Sequence, residues 1–436
     1  MLKRIIMKKE FTLTLFVFCL INFTFIKVPL NAFASGFSIF THGAKELGML
    51  ASTIAHTEGP ASNFYNPALM TDLTGVQLEL GTTLIFPTVE YTSSVPGGSN
   101  AETESQVFFP STIFCSYQIG EKFAAGLGIY NPFGLGTEWP KNWDGRYITT
   151  NSELQTYNFN PNIAYKVLDQ EKFTLGIGGG AFLMLGNAVL ESNIPLPSLA
   201  DGAQKYDADG HGWGFNLGSY AKVGQNWSFG LSYRSAVDLD IDGDIRFNLP
   251  SAPPALAPLL AANFPNTSGD VTLNLPPQLF FGICYKYKSN FLVEVGGKWE
   301  GWSSYEKLEL NTEQAINGKN TTITAKDWDD TLGFNIGLKY FPAETWAVSL
   351  GYIFEETPVP DHTFEPSIPS NDKNILGIGF EKGFLKNFTV SAAYMYEFYD
   401  DRTKTNDIGS EFGATANGLY EQSAHLLALS ITWQLQ

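Results

Sequence analysis

Asp238-Leu239-Asp240-Ile241-Asp242-Gly243-Asp244 has the acid spacing of a calcium loop. Such a loop needs a bidentate acid at its twelfth position, and here that position is Leu249. The same run alternates acids with apolar residues, as a strand does that carries acids on a lumen or rim face. A weak cation site on that face stays open. Gly176-Ile177-Gly178-Gly179-Gly180 is a poor phosphate cradle, because it lies within a strand-like run and no helix pattern follows. Small residues facing a lumen instead leave room for a plug or a ligand. The five histidines, His42, His56, His211, His362 and His425, show no metal-ligand spacing. No Ser/His/Asp constellation follows from position. The chain reads as a non-enzyme without cofactor or metal.

Residues 1–34 read as an export signal. Lys3, Arg4, Lys8 and Lys9 precede the apolar stretch Phe11 to Ile26, and Ala32-Phe33-Ala34 is an A-x-A-like cleavage site. Phe16-Val17-Phe18 lacks the small residues that would make Cys19 a lipoprotein cysteine. Removing this segment takes the formal charge from −17 to −21, a loss of five basic residues and one acidic residue. That balance excludes nucleic acid and anionic surfaces as partners. Two cysteines remain. Strand parity puts Cys115 and Cys284 on opposite faces of a sheet, so they are expected to stay unpaired.

The elements that would carry these residues repeat. Six polar turns each lead into an aromatic: Glu121-Lys122-Phe123, Glu171-Lys172-Phe173, Gln225-Asn226-Trp227, Ser289-Asn290-Phe291, Glu344-Thr345-Trp346 and Lys386-Asn387-Phe388. A membrane barrel places aromatic rings at the lipid–water boundary. Alternation is clearest from Trp227 onward. Trp227, Phe229, Leu231, Tyr233, Val237, Leu239 and Ile241 are expected on one face, with Ser228, Gly230, Ser232, Arg234 and Asp238 on the other. The last segment repeats it, with Leu427, Leu429, Ile431 and Trp433 against Ala428, Ser430 and Thr432. Near-zero mean hydropathy without a long apolar run after the leader fits a wall that uses alternate residues. The fold expected is an all-β membrane protein, an antiparallel transmembrane barrel of about fourteen strands over 76–436. Residues 35–75 do not alternate and cannot lie in lipid with unsatisfied backbone. They are expected inside the lumen as a helical hatch, with a periplasmic extension as the alternative.

Two long loops are apolar. Ile194, Leu196, Pro197 and Leu199 cluster in one, and Leu249, Pro253, Leu256, Leu259, Leu260 and Phe264 in the other. Clustered apolar residues on outer loops mark a hydrophobic landing site, the alternative being self-packing of a capping helix.

With these motifs in order, the chain resembles the FadL/TodX family of outer-membrane transporters for long-chain fatty acids and hydrocarbons. Ser35-Gly36-Phe37 looks like that family's mature start and Asn66-Pro67-Ala68 like its hatch motif. Asn131-Pro132-Phe133-Gly134-Leu135 is similar to the segment at its kinked third strand, and Trp143-Asp144-Gly145-Arg146-Tyr147 resembles a form in its hydrocarbon branch. Tyr233-Arg234-Ser235, Leu273-Asn274-Leu275-Pro276, Thr357-Pro358-Val359-Pro360-Asp361 and Ile368-Pro369 also match. The resemblance implies capture of a hydrophobic ligand by the outer loops, binding in the lumen, movement of the hatch at Asn66, Pro67 and Ala68, and sideways exit at Asn131 to Leu135. It also implies a monomer without an open water channel.

Two departures stand out. Where fatty-acid members place basic lumen residues, this chain has Gly186-Asn187 and Asp329. A buried carboxylate without a cation is costly, which adds weight to a neutral substrate. Arg234 and Lys298 point inward by parity and are the candidates to meet a carboxylate. The chain also ends Trp433-Gln434-Leu435-Gln436, an atypical signal for the outer-membrane assembly machinery. The expected function is diffusive uptake of fatty acids or hydrocarbons past lipopolysaccharide in a Gram-negative outer membrane. The alternative is a surface receptor or adhesin whose acidic loops hold a macromolecule. A barrel enzyme lacks a nucleophile–base pair, and residues 35–75 would obstruct a general porin.

Overall fold

The computed structural model describes residues 36–384 and 387–435. The expected leader and Cys19 lie outside the described residues, as does Lys386 of the sixth turn. The alternating segments form one closed antiparallel barrel of fourteen strands. They are β1 (Val76–Ser93), β2 (Ser111–Ile119), β3 (Phe123–Tyr130, resuming at Gly134–Glu138), β4 (Asn151–Gln170), β5 (Phe173–Ile194) and β6 (Gly202–Val223). Then follow β7 (Trp227–Arg234 and Val237–Asn248), β8 (Thr267–Leu275 and Gln278–Tyr287), β9 (Phe291–Glu300 and Lys307–Ile316) and β10 (Lys319–Ala325 and Thr331–Ala343). The last four are β11 (Trp346–Glu355), β12 (Lys373–Phe384), β13 (Phe388–Tyr399 and Arg402–Lys404) and β14 (Gly418–Leu435). β1 pairs with β14 from Val76↔Leu435 to Ser93↔Gly418. The closed ladder satisfies the backbone groups that lipid could not.

Alternation decides which side chains meet lipid. In β14, Leu427, Leu429 and Ile431 are exposed outward while Ala428, Ser430 and Thr432 are buried inward. The turn aromatics Phe123, Trp227, Trp346 and Phe388 also face out. They pair across strands, with Phe123 and Tyr165 centroids 4.6 Å apart and Phe388 stacked on Trp433 at 5.7 Å. These rings line the short-turn rim, where a ring has one end in lipid and one in water.

β7 departs from the expected faces. Trp227, Phe229 and Leu231 are exposed, yet Val237, Leu239 and Ile241 are buried in the lumen and Asp238, Asp240, Asp242 and Asp244 face outward. Ser235 and Ala236 belong to neither piece of the strand, and a one-residue slip exchanges the two faces. The acids, expected on a lumen or rim face, therefore lie on the barrel's exterior and not in the lumen. Asp242 lies in register with Asp209 of β6 and Asp270 of β8. The exchange follows the surroundings. Beyond the lipid the outer wall meets water and takes the polar residues, while the inner wall puts Ile241, Val271 and Leu273 against a cavity.

Residues 36–75 occupy the lumen through α1 (Ala44–Gly48), α2 (Ser62–Tyr65) and a 3-10 turn (Pro67–Asp72), with Leu47, Met49 and Leu50 fully buried. Inward glycines make the seat. A Cβ at Gly178 would strike the backbone of Ala68, one at Gly230 that of Ile54, and one at Gly379 that of Gly48. Barrel side chains satisfy backbone groups of the segment that its short helices leave unpaired. Glu294 accepts from the Ile54 and Ala55 N–H groups at 2.6 and 3.0 Å, and Ser430 from Ala44 N–H at 2.8 Å. A charge chain continues from Glu294 to His56, then Glu58, Lys339 and Glu381. Cys115 is half-buried on the lipid side, Cys284 is buried inward, and both are free thiols. Among the described residues, no helix is long and apolar enough to cross a membrane.

Candidate functional site

Pro132 carries no N–H and holds Asn131 extended, so the β3 ladder breaks there. The β2–β3 pairing runs from Ile119↔Phe123 to Ile113↔Ile129 and stops. Past the break, Gly134–Glu138 forms its ladder with β4, and Glu138 O also accepts from Glu104 N–H at 2.8 Å. Asn131 Nδ2 donates to the Thr156 carbonyl at 2.6 Å, and Thr156 Oγ1 bonds both backbone groups of Phe133, which fixes the bend. The edge left by β2 is taken up from inside. Ile39 N–H donates to Pro132 O at 2.8 Å and Gly134 N–H to Phe37 O at 3.0 Å. Residues 37–39 thus stand where a β2 partner would otherwise pair.

Two cavities meet at this point. The outer one, about 350 Å³, is walled by Ala188, Tyr206, Ile241, Val271, Leu273 and Leu310 among others. The inner one, about 490 Å³, runs beneath the bend and reaches Val107 and Phe109, which are exposed on the barrel's outer face. Phe37, Glu153, Leu154 and Leu135 belong to both walls. Phe37 sits in an aromatic box, its ring centroid 4.8 Å from Trp302, 5.6 Å from Trp328 and 6.1 Å from Phe133. The strand carrying it is held on its far side by Ser38 Oγ, which donates to Glu300 at 2.6 Å.

Charge around the cavities is acidic. The outer cavity has Lys326 against Glu153, Glu191 and Glu365, and the inner has Lys373 against Glu153 and Glu397. Lys326 bonds Glu365, and Lys373 bonds Glu355 at 3.1 Å. Burial alone would lower the Lys326 ammonium, but Glu365 and Tyr305 outweigh it and hold its pKa above the ordinary lysine value. It therefore stays charged with its partner in place.

The sequence-predicted residues fall in three places. Asn131 to Leu135 line the bend and the inner cavity, as placed above. Asn66 lies deeper: its Nδ2 donates to Ile54 O at 2.8 Å and Ser219 O at 3.0 Å, while its Oδ1 caps the turn at Ala68 N–H. Neither Asn66, Pro67 nor Ala68 lines either large cavity. Leu196 is buried and shares contact over Gly202 with Leu249, whereas Leu256 and Leu259 are exposed on α3 (Ala257–Asn263) and its preceding turn. Leu199, Leu260 and Phe264 are half-buried nearby, Phe264 with its ring centroid 5.5 Å from Phe247. Arg234 and Lys298 do point inward, but both are engaged. Arg234 bonds the Phe64 carbonyl and lies 3.6 Å over its ring. Lys298 bonds Glu355 at 2.6 Å and Glu300 at 3.3 Å. Asn187 and Asp329 face out, while Lys326, three residues before Asp329, faces in. Sequence reasoning missed Phe37, Ser38 and Lys326.

Known proteins share this build. The sequence profile described as Outer membrane protein transport protein (OMPP1/FadL/TodX) matches residues 26–435. A long-chain fatty acid transport protein of Escherichia coli O6:H1 is 25% identical over 85% of this chain and 88% of its own. A 47 kDa outer membrane protein of Pasteurella multocida is 26% identical over 84% of this chain and 88% of its own. The crystal structure of a Pseudomonas aeruginosa FadL homologue superposes with a TM-score of 0.78 at 18% identity, covering 92% of this chain and 100% of that one. That of the Pseudomonas putida toluene transporter TodX gives 0.71 at 18%, covering 91% and 99%. A closed fourteen-stranded wall, a filled lumen and a profile match along nearly the whole exported chain agree: this chain is an outer-membrane β-barrel of the OMPP1/FadL/TodX family.

Proposed function

We propose that the barrel lets hydrophobic compounds, fatty acids or hydrocarbons, diffuse inward across the outer membrane. The apolar outer loops around Leu196 and Leu256 to Phe264 collect the ligand, which enters the outer cavity, passes Phe37, and leaves sideways through the bend at Asn131 to Leu135. The observation that carries this reading is the shared partition of the two cavities, with the inner one reaching residues exposed on the outer wall. A route that turns into the bilayer spares an apolar ligand from crossing water. Relatives named as a long-chain fatty acid transport protein and a toluene transporter support the substrate class. We assign the moving part to residues 36–41 and give Asn66, Pro67 and Ala68 the role of anchoring the rest of the hatch.

Acids outnumber cations in both cavities, and each cavity cation already has a carboxylate partner. A fatty-acid carboxylate would have to displace Glu365 from Lys326, so neutral hydrocarbons are favoured over fatty acids. The test is uptake of radiolabelled toluene and oleate by cells lacking their own transporter, with and without deletion of residues 131–135. Toluene uptake that exceeds oleate uptake and vanishes on deletion is expected. Uptake that survives the deletion in a folded barrel would overturn lateral exit, and failure of both ligands to enter would overturn transport.

A further inference from the structure

We propose that His56, Cys284 and Glu294 form a zinc site that ties the lumenal segment to the barrel wall. Cys284 on β8 and Glu294 on β9 are direct cross-strand partners, both buried and facing the lumen. Such neighbours hold their Cβ atoms about 4.5–5.5 Å apart. His56 comes down on the pair from the lumenal segment, and the imidazole nitrogen, thiol sulfur and carboxylate oxygen all lie within 4.8 Å of one another. His56 and Glu294 are 238 residues apart in sequence, so no ligand spacing could announce the set.

The surroundings orient each donor. His56 Nε2 donates to Glu58 Oε1 at 2.8 Å, which leaves Nδ1 as the ligating atom. A carboxylate on the far nitrogen is the usual outer partner of a metal-bound histidine. Glu58 is in turn bonded by Lys339. Glu294 Oε1 is taken by the Ile54 and Ala55 N–H groups, and Oε2 faces His56 Nδ1 at 2.5 Å. Tetrahedral zinc bonds of about 2.0–2.3 Å place donors roughly 3.3–3.8 Å apart. The histidine nitrogen and carboxylate oxygen, 2.5 Å apart, must open by about an ångström. One nitrogen, one thiolate and one carboxylate suit Zn²⁺, whereas Ca²⁺ and Mg²⁺ require an all-oxygen shell. Binding displaces the proton shared by Nδ1 and Oε2 and the thiol proton, both released to water. The His56 side chain is 11% exposed, so the set is not wholly sealed from solvent.

The test uses the full exported barrel purified in detergent and stripped of metal. Titration with Co²⁺ is expected to give one equivalent bound and a thiolate-to-cobalt absorption band, displaced by Zn²⁺. Cys284→Ser should abolish the band, and Cys115→Ser should leave it. Glu58→Gln should keep the band and weaken binding about 10- to 100-fold, the usual loss for an outer-shell carboxylate. Folding of each variant is read from its faster migration on unboiled gels. A wild-type barrel without the band, or a band lost in Cys115→Ser and kept in Cys284→Ser, would overturn the site. If Cys284→Ser does not fold, the wild-type spectrum together with Glu58→Gln still decides.

Discussion

The lumenal segment is held in two different ways along its length. Residues 44–72 are seated on inward glycines and pinned by the buried chain from Glu294 through Lys339 to Glu381. Residues 36–41 have two backbone hydrogen bonds to the bend, one from Ser38 to Glu300, neutral side-chain bonds from Gln278, Tyr65 and Thr83, and ring contacts, with a cavity on either side. Breaking a buried ion pair costs about 3–5 kcal/mol, against about 1 kcal/mol for an ordinary hydrogen bond. The first arrangement suits a fixed stopper and the second a tongue that gives way. On the proposed route, blocking water and passing an apolar ligand would fall to separate parts of one short segment.

The largest expected effect lies in the stopper. Lys339 is fully buried between Glu58 and Glu381. Lys339→Ala leaves Glu381 without its cation and Glu58 with His56 alone, and should destabilise the barrel by about 3–5 kcal/mol. Guanidinium unfolding in lipid vesicles measures this, and planar bilayers should show new steady ion conductance as the stopper loosens. An unchanged midpoint with no conductance would erase the distinction between the two regions.

The tongue should answer differently. Ser38→Ala removes the hydrogen bond to the Glu300 carboxylate and the one Ser38 Oγ accepts from Gln278 at 3.0 Å, a combined loss of about 1.5–3 kcal/mol. Gln278, which also donates to Glu300 at 2.6 Å, stays to satisfy that group. The displaced tongue should become roughly ten- to hundredfold more populated, so hydrophobic uptake quickens while the unfolding midpoint holds. Slower uptake, or a midpoint that falls as far as in Lys339→Ala, would make the tongue part of the stopper.

The fold could be read in the sequence wherever one environment ruled a whole strand. β14 keeps lipid outside and the lumen inside along its length, so Leu427 to Thr432 fall where alternation puts them. β7 crosses from lipid into water, and nothing in Ser235-Ala236 signals the exchange that turns Leu239 inward and Asp240 outward. The bend was legible only through the family resemblance at Asn131 to Leu135, and Pro132 supplies its physical cause. Its inner partner was not, since Phe37 to Ile39 pair with it across the lumen at a separation that no local pattern encodes. Phe37 and Phe40 stand out as aromatics within a stretch of small and polar residues, a signal that was available. Lys326 was hidden for a smaller reason. Asp329 occupies the aligned place, and only the turn of the loop shows that the inward cation lies three residues earlier.

A smaller effect should appear in the loop that roofs the tongue. Ile368 lines the outer cavity and Pro369 the inner one, and Asp372 closes this loop by accepting from Thr357 N–H at 3.2 Å. Burial first, then Asp400 and Glu356, push the Asp372 carboxyl up to about 7, against the pull of Arg402. In the unfolded loop it titrates near about 3.9. A carboxyl raised in the folded state favours that state while protonated. Its contribution is complete below about pH 4 and is lost as pH rises through 7. Amide exchange over 357–372, corrected for the intrinsic rate, should therefore quicken by several-fold between pH 5 and pH 8, and Asp372→Asn should flatten the profile. Residues 44–72 do not contact this carboxyl, so their protection should not follow it. A loop that tightens with rising pH, or a slope kept in Asp372→Asn, would remove Asp372 as the cause. A slope shared by residues 44–72 would mean that stopper and tongue open together.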